Sequence, residues 1–341
     1  MLAFLDAILT TAGYRTGRFT SPHLIRLNER FLINREPVDD DTLESALDVY
    51  RGRCDAFDPP PTFFEINTAV AYQLFADANV DIGLIEVGLG GRFDSTNTLT
   101  PETTAITTIG LEHTQYLGDT LAKIAFEKAG IVKPNVPLVV GDVGPEALAV
   151  IAEQAHERHA PTRLAGQDYR FESVGSSDAP EIRFDNGYIQ IDHAPIALPG
   201  AYQAHNAAIA IELAFGLMEK FGRIGETTVL SGLADACWPC RLERVLNAPP
   251  VVIDVAHNEA GAKALAEAME HGSIVWFGAS SDKNAGAMLQ ALAFRASRFV
   301  LTSFANRRAV SAEELGAHAY PWPYETATDV PDSLHRAFAL A

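Results

Sequence analysis

Three residues able to do chemistry, Glu86, His113 and Lys128, each lie beside an apolar run in residues 86–128. Glu86 ends the apolar segment IGLIEV and enters the turn GLGG, within EVGLGGRFDSTN (86–97). A carboxylate entering such a turn can meet a hard cation, while the glycines admit a ligand close to backbone N–H groups. Taken alone, Glu86 is equally a solvated turn residue. His113, in LEHT (111–114), follows the run AITTIGL. A loop histidine usually makes surface hydrogen bonds, but a glutamate on a neighbouring strand end makes a ligand pair plausible chemistry. Lys128, in EKAGI (127–131), falls near a helix C-terminus, where the helix dipole favours a cation. Ser21 in TSPHL could offer a hydroxyl to Mg2+, though Ser-Pro also simply makes turns. Open α/β sheets build sites at the carboxyl ends of their strands, so this set points to metal–phosphate chemistry. GLGGRF lacks the G-x-G-x-x-G spacing of a dinucleotide fingerprint.

Strands and helices alternate almost throughout. The pattern predicts helices over 2–13, 39–51, 65–78, 120–130 and 203–221, and strands over 82–87, 104–109 and 136–140. Residues 169–198 read as a half-exposed β-rich hairpin or small sheet. Beyond Arg241 the pattern restarts. Strands are expected at 251–255, 274–277 and 299–302, with helices near 260–270, 285–296 and 312–318. Continuous apolar strands joined by crossover helices predict a buried parallel sheet. A length of 341 residues implies two domains, with the boundary expected near residue 240: 1–240 and 241–341.

The formal charge of −18, with no Lys/Arg-rich tract, argues against nucleic acid or an anionic membrane as partner. Anionic substrates would then need local charge compensation, most simply from a divalent cation. No apolar run approaches the roughly 18 residues of a membrane span, and residues 2–14 lack the features of a signal peptide, so a cytoplasmic location is expected. Of the three cysteines, Cys237 and Cys240 have C-x-x-C spacing. No second pair completes a four-ligand zinc site, which favours an incidental reduced pair over a metal or redox role.

TSPHL, TFFE, EVGLGGRFDSTN, LEHT, EKAGI, YQAHNAA, WPCRLE and DVAHN occur in the order found in folylpolyglutamate synthases and dihydrofolate synthases, and the chain resembles this branch of the Mur ligase superfamily. The resemblance spans nearly the whole chain. It implies an α/β fold: a Mur-ligase-like central ATPase domain, which also binds the pterin, plus a smaller Rossmann-like C-terminal domain. By position it implies Mg2+ ligands at Ser21, Glu86 and His113, and a carbamylated lysine at Lys128. It implies pterin-side contacts at Thr62, Phe63, Phe64 and Glu65, and further substrate contacts at Phe93, Asp94 and Ser95. ATP contacts are implied at Asn206, Arg241 and Asp254, and a residue near the phosphate and glutamate end at His257. Outside the resemblance, Asn206 could cap or surface a helix, and Asp254 could terminate a strand.

The implied reaction is ligation. ATP phosphorylates a pteroate or folate carboxylate, the amine of L-glutamate attacks the acyl phosphate, and phosphate leaves. Small-molecule substrates, ATP, Mg2+ and a monomeric state follow from the same resemblance. It further implies a phosphate-cradling GTNGKGS loop directly ahead of Leu2 and another apolar strand after DSLHRAFALA, neither of which the sequence contains. The 341 residues are therefore expected to be inactive alone and rescued by that loop. The competing expectation is a catalytically dead binding protein, or a fragment, of the same fold. A metal hydrolase built on Glu86 and His113 lacks a third histidine or an H-x-x-x-H pair. Local departures from the family pattern fall at Glu112, Cys240, Glu259 and Asn284.

Overall fold

The computed structural model describes residues 1–176 and 179–341 and has the expected α/β character. The chain forms two compact units, the first made of Met1–Ala197 with Gln203–Cys237 and the second of Leu198–Tyr202 with Trp238–Ala341. Among the described residues no helix is long and apolar enough to cross a membrane.

The first unit opens with α1 (Leu2–Thr11), β1 (Thr16–Phe19), β2 (Phe31–Ile33), β3 (Glu36–Pro37), α2 (Asp40–Asp48), α3 (Phe63–Asp77) and β4 (Ile82–Ile85). Their sheet runs β3-β2-β1-β4, with β1 antiparallel to β2 and parallel to β4. Apolar residues recurring along α3 (Val70, Ala71, Leu74, Phe75) meet Phe19 and Phe31 of the strands in one buried cluster. The register sets Phe19 beside Ile85, so β1 and β4 end together and deliver Ser21 and Glu86 to one sheet edge. α3 begins two residues earlier than the sequence pattern predicts. Thr62 caps it, its hydroxyl accepting from the Glu65 amide at 3.2 Å while the Glu65 carboxylate accepts from the Thr62 amide at 2.7 Å. This capping box satisfies two otherwise orphaned amides.

A second layer follows: β5 (Thr104–Ile106), α4 (Thr114–Leu117), α5 (Leu121–Ala129), β6 (Leu138–Val140), α6 (Pro145–Glu157) and β7 (Thr162–Leu164). These strands form a parallel sheet in the order β5-β6-β7, packed against α5 and α6 through Ala125, Ala129, Leu138, Val140 and Ile151. The β-rich stretch resolves into an antiparallel sheet of β8 (Arg170–Gly175), β9 (Pro180–Asp185) and β10 (Gln190–Pro195). That prediction also covered residues 177 and 178, which lie outside the described residues. Helices α7 (Tyr202–Leu217) and α8 (Glu226–Asp235) complete the unit.

His205 on α7 is half-buried, stacks on Phe171 with ring centroids 5.4 Å apart, and accepts the Asp142 amide at Nε2 over 2.8 Å. Burial pushes its pKa below the usual 6.5, partly offset by Asp142. Below pH 6.5 the unfolded chain therefore takes up a proton that the folded chain refuses, and stability falls with pH. Urea midpoints from pH 7 to pH 5 should fall more steeply for the natural chain than for His205→Gln.

The second unit contains β11 (Glu243–Asn247), β12 (Pro250–Ile253), α9 (Glu259–Ala268), β13 (Ser273–Phe277), α10 (Ala285–Leu292), β14 (Ala296–Thr302), α11 (Ala312–Ala319), β15 (Tyr324–Ala327) and α12 (Val330–Leu340). β13, β14 and β15 form the expected parallel sheet over a core of Phe277, Leu289, Phe299, Leu301 and Leu315. The predicted strand at 251–255 does not join them. Pro250 pairs with Asn247, so β11 and β12 make an antiparallel hairpin across Ala248-Pro249, with Val252 exposed on it. Local closure across a two-residue connection satisfies the strand without a crossover.

Candidate active site

Glu86 follows β4 directly. Its amide donates to Phe19 O at 2.9 Å, extending the parallel ladder by one residue and aiming the side chain off the strand end. The Glu86 carboxylate accepts the Ser21 amide at 2.7 Å, so the structure brings these two predicted ligands together. Ser21 lies in a loop with its own clamp. The Glu29 carboxylate accepts the amides of Leu24 (2.6 Å), Ile25 (3.0 Å) and Arg26 (2.7 Å). Burial would raise the Glu29 pKa, but these three bonds outweigh it and hold the carboxyl below its usual range.

Beyond Glu86 the Gly-rich turn closes on Asp94. One Asp94 oxygen accepts from Gly88 N (3.1 Å) and Leu89 N (2.9 Å), and the other from the Thr96 amide (2.9 Å) and hydroxyl. Asp94, expected at the substrate, is thus the residue that shapes the turn. Asp94→Asn is expected to cost about 1–2 kcal/mol, because one charged acceptor serves several donors. Hydrogen exchange at Gly88 and Leu89 should rise with it; unchanged protection there would refute the role.

The turn leans on the C-terminal end of α5. Arg92 N donates to Glu127 O at 2.8 Å, the Arg92 guanidinium pairs with the Glu127 carboxylate at 2.6 Å, and Asn97 Nδ2 donates to Gly130 O at 3.0 Å. A Cβ at Gly130 would lie 2.3 Å from Arg92 Cα, so only glycine permits this approach. Lys128, one residue after Glu127, is half-buried, and its ammonium meets no partner among the described residues. His113 is exposed at φ 51°, and its carbonyl accepts the amides of Tyr116 and Leu117. Its imidazole makes no hydrogen bond or ion pair among the described residues, so the structure does not bring it onto Glu86. Nor do three His, Cys, Asp or Glu side chains among them converge as a metal-holding group.

Phe64 forms the floor of the turn: a Cβ on Gly88 would fall 2.4 Å from its ring, and Phe19 stacks on it at 5.8 Å. Phe63 and Phe93 are exposed aromatic faces, Phe93 with the Arg92 guanidinium 4.1 Å from its ring centre. Thr62 and Glu65 are occupied with each other, and Thr62 holds the Glu65 carboxyl below its ordinary range. Ser95 opens the short helical turn Ser95–Thr98. On α7, Asn206 Nδ2 donates to Gln203 Oε1 at 3.0 Å.

In the second unit Arg241 stands between two left-handed residues, Cys240 (φ 56°) and Leu242 (φ 48°). The conformation is held by Cys240 N to Glu243 Oε2 (2.7 Å), Leu242 N to Asp254 Oδ2 (3.0 Å) and Val255 N to Cys240 O (3.1 Å). The other Asp254 oxygen accepts the Ala256 amide at 2.7 Å, so Asp254 supports the arginine turn. His257 Nδ1–H donates to Val255 O at 3.1 Å, which orients the ring. A non-glycine left-handed residue costs about 1 kcal/mol, so Cys240→Gly is expected to stabilise this unit by up to that amount, seen as a higher denaturation midpoint. A fall would show that the thiol contributes more than the strain removes.

Arg30 escaped the sequence reading. Only its place just ahead of the apolar run FLI hints that it is drawn inward.

Residues 240–341 match the model of the Mur ligase glutamate ligase domain. The chain is 38% identical over 328 residues to the dihydrofolate synthase/folylpolyglutamate synthase of Bacillus subtilis, covering 92% of this chain and 76% of that one. Two solved structures superpose closely. One is Escherichia coli FolC in complex with DHPP and ADP (TM-score 0.88, 29% identity, 99% of this chain and 79% of that one). The other is the Yersinia pestis bifunctional folylpolyglutamate synthase/dihydrofolate synthase with AMPPNP and Mn ion (TM-score 0.86, 30% identity, 100% and 80%). An identity of this level over three-quarters of a curated relative places the chain within the dihydrofolate synthase/folylpolyglutamate synthase family of ATP-dependent, amide-forming ligases.

Proposed function

We propose that the chain joins L-glutamate to the carboxylate of a pteroate or folate with ATP, acting as a dihydrofolate synthase, a folylpolyglutamate synthase or both. The observation that carries this reading is the clustering, at the carboxyl ends of β1 and β4, of Glu86, the Ser21 amide and the Phe64 ring beneath Gly88. An aromatic floor beside a carboxylate able to hold a divalent cation suits a substrate with a flat heterocycle at one end and, at the other, a carboxylate that the cation would receive.

By donor type the Ser21 hydroxyl and the Glu86 carboxylate suit a hard divalent ion such as Mg2+, and His113, which does not stand on Glu86 among the described residues, would complete the set only by moving toward them. Lys128, whose ammonium meets no partner among the described residues, is the position at which carbamylation would add a further carboxylate. The ion, when bound, neutralises phosphate charge. The chain's own groups position the reactants, which is most of what in-line phosphoryl transfer needs. Phe63, Phe64, Phe93 and Ser95 line the pterin side, with Thr62, Glu65 and Asp94 fixing the backbone beneath them. Asn206, Arg241 and Asp254 serve ATP, and His257 presents Nε2 at the phosphate and glutamate end. The glutamate amine attacks the acyl carbon, the C–O bond to phosphate breaks, and an amide forms. A monomer working in the cytoplasm, with neither nucleic acid nor membrane as partner, completes the reading.

Phosphate release that requires dihydropteroate, glutamate and ATP together tests it. The measurement is made on the 341-residue chain and on a fusion carrying a GTNGKGS-bearing segment ahead of Met1. Release dependent on all three in either protein supports the proposal. ATP turnover in the fusion that ignores glutamate and dihydropteroate overturns it.

A further inference from the structure

Arg30 is a buried cation beside the Ser21–Glu86 turn, and no implied ligand or reactant has been matched to it. It is 8% exposed, yet its guanidinium is not closed off within an ion pair. Nε donates to His23 Nδ1 at 2.9 Å, and Cζ stands 5.4 Å from the centre of the Phe63 ring. Among the described residues the terminal nitrogens meet no acceptor. Burial lowers the guanidinium's pKa, and the field of Glu86 partly offsets this. The terminal nitrogens are not among the buried unpartnered side-chain atoms of the described residues, so on a largely buried side chain they remain open to acceptors that a ligand brings. The surroundings are also unusually well held. Glu29 clamps the three amides that follow His23, and Thr20 N donates to Arg30 O at 3.1 Å.

We propose that Arg30 binds the substrate carboxylate that the ligation activates, its two terminal nitrogens forming a fork that His23 orients. The inference rests on the proposed function and adds a binding residue to it. A carboxylate suits the geometry because the guanidinium lies between an aromatic face of the TFFE segment and the Glu86 turn, where the acyl end of a pterin substrate would arrive. A planar fork matches a planar carboxylate in two parallel hydrogen bonds. His23 acts as a positioning residue, because its lone pair fixes the rotation of the guanidinium.

Binding is measured on the 341-residue chain with dihydropteroate, with its carboxamide analogue and with AMPPNP. The natural chain should prefer the carboxylate about ten- to a hundredfold, as expected for charge-assisted hydrogen bonds. Arg30→Met should abolish that preference and Arg30→Lys should keep a fraction of it. His23→Ala, which leaves the guanidinium in place but undirected, should reduce it severalfold and decides the matter if Arg30→Met does not fold. Three results would overturn the inference: an intact preference in folded Arg30→Met, an equal weakening of both pterin ligands, or a loss confined to AMPPNP. Failure of the natural chain to bind dihydropteroate would instead overturn the proposed function together with this inference.

Discussion

Asp6→Ala is expected to destabilise the first unit by about 3–5 kcal/mol, because it removes the carboxylate paired with a buried guanidinium. Asp6 on α1 is 0% exposed. One of its oxygens pairs with Arg18 Nη1 at 3.0 Å, and the other accepts the Thr16 hydroxyl at 2.6 Å. Burial raises the aspartate's pKa and lowers the arginine's, each partner opposing the shift of the other. Replacing both with apolar residues of similar volume, as in Asp6→Leu with Arg18→Met, should recover much of the loss, since two desolvated charges disappear together. Melting temperatures should fall by about 10 °C for the single variant, and a fall of only a degree or two would contradict the account. The pair also bears on the site. Arg18 and Thr16 lie on β1, whose end carries Ser21, so a loosened α1–β1 contact should raise exchange of the Ser21 amide bonded to Glu86.

Glu86→Ala is expected to lower ligation by about a thousandfold, measured as glutamate-dependent phosphate release in the fusion described above. Compensation of phosphate charge is worth several kcal/mol, and each 1.36 kcal/mol is a factor of ten. Alanine removes two things at once: the anionic ligand and the acceptor for Ser21 N. Glu86→Gln separates them, because its amide oxygen still accepts the Ser21 amide while the charge is gone. If charge is the cause, the glutamine variant should fold and exchange like the natural chain yet lose nearly as much activity, and raised Mn2+ should restore part of it. If glutamine retains full activity, Glu86 serves only to hold the loop.

Much of the fold is readable along the chain because the signals are local. An apolar run followed by Gly-Leu-Gly-Gly announces a strand and a sharp turn, and Glu86 stands at the junction. The parallel sheet of the second unit is likewise visible in its apolar strands and intervening helices. The T-x-x-E spacing of Thr62 and Glu65 is a capping signal in plain view, yet periodicity alone starts the helix two residues late. The segment 251–255 departs from expectation for a related reason. Apolar composition marks a strand but not its partner, and the nearby Glu243–Asn247 claims it first.

The order of motifs along the chain is enough to identify the family, and strand-end placement is enough to make Glu86 a candidate. The fold alone shows which of those residues are hydrogen-bonded to the backbone of their own turns. Asp94 and Asp254 match ligand-contacting positions by motif, but in space their oxygens are taken up by amides of the turns they stabilise. Arg30 belongs to no quoted motif, and it becomes conspicuous only when β1 and β2 pair and bury it against His23 and Phe63. The physical reason is that hydrogen-bond occupancy and desolvation depend on what arrives through space, and a linear pattern of residue types carries neither.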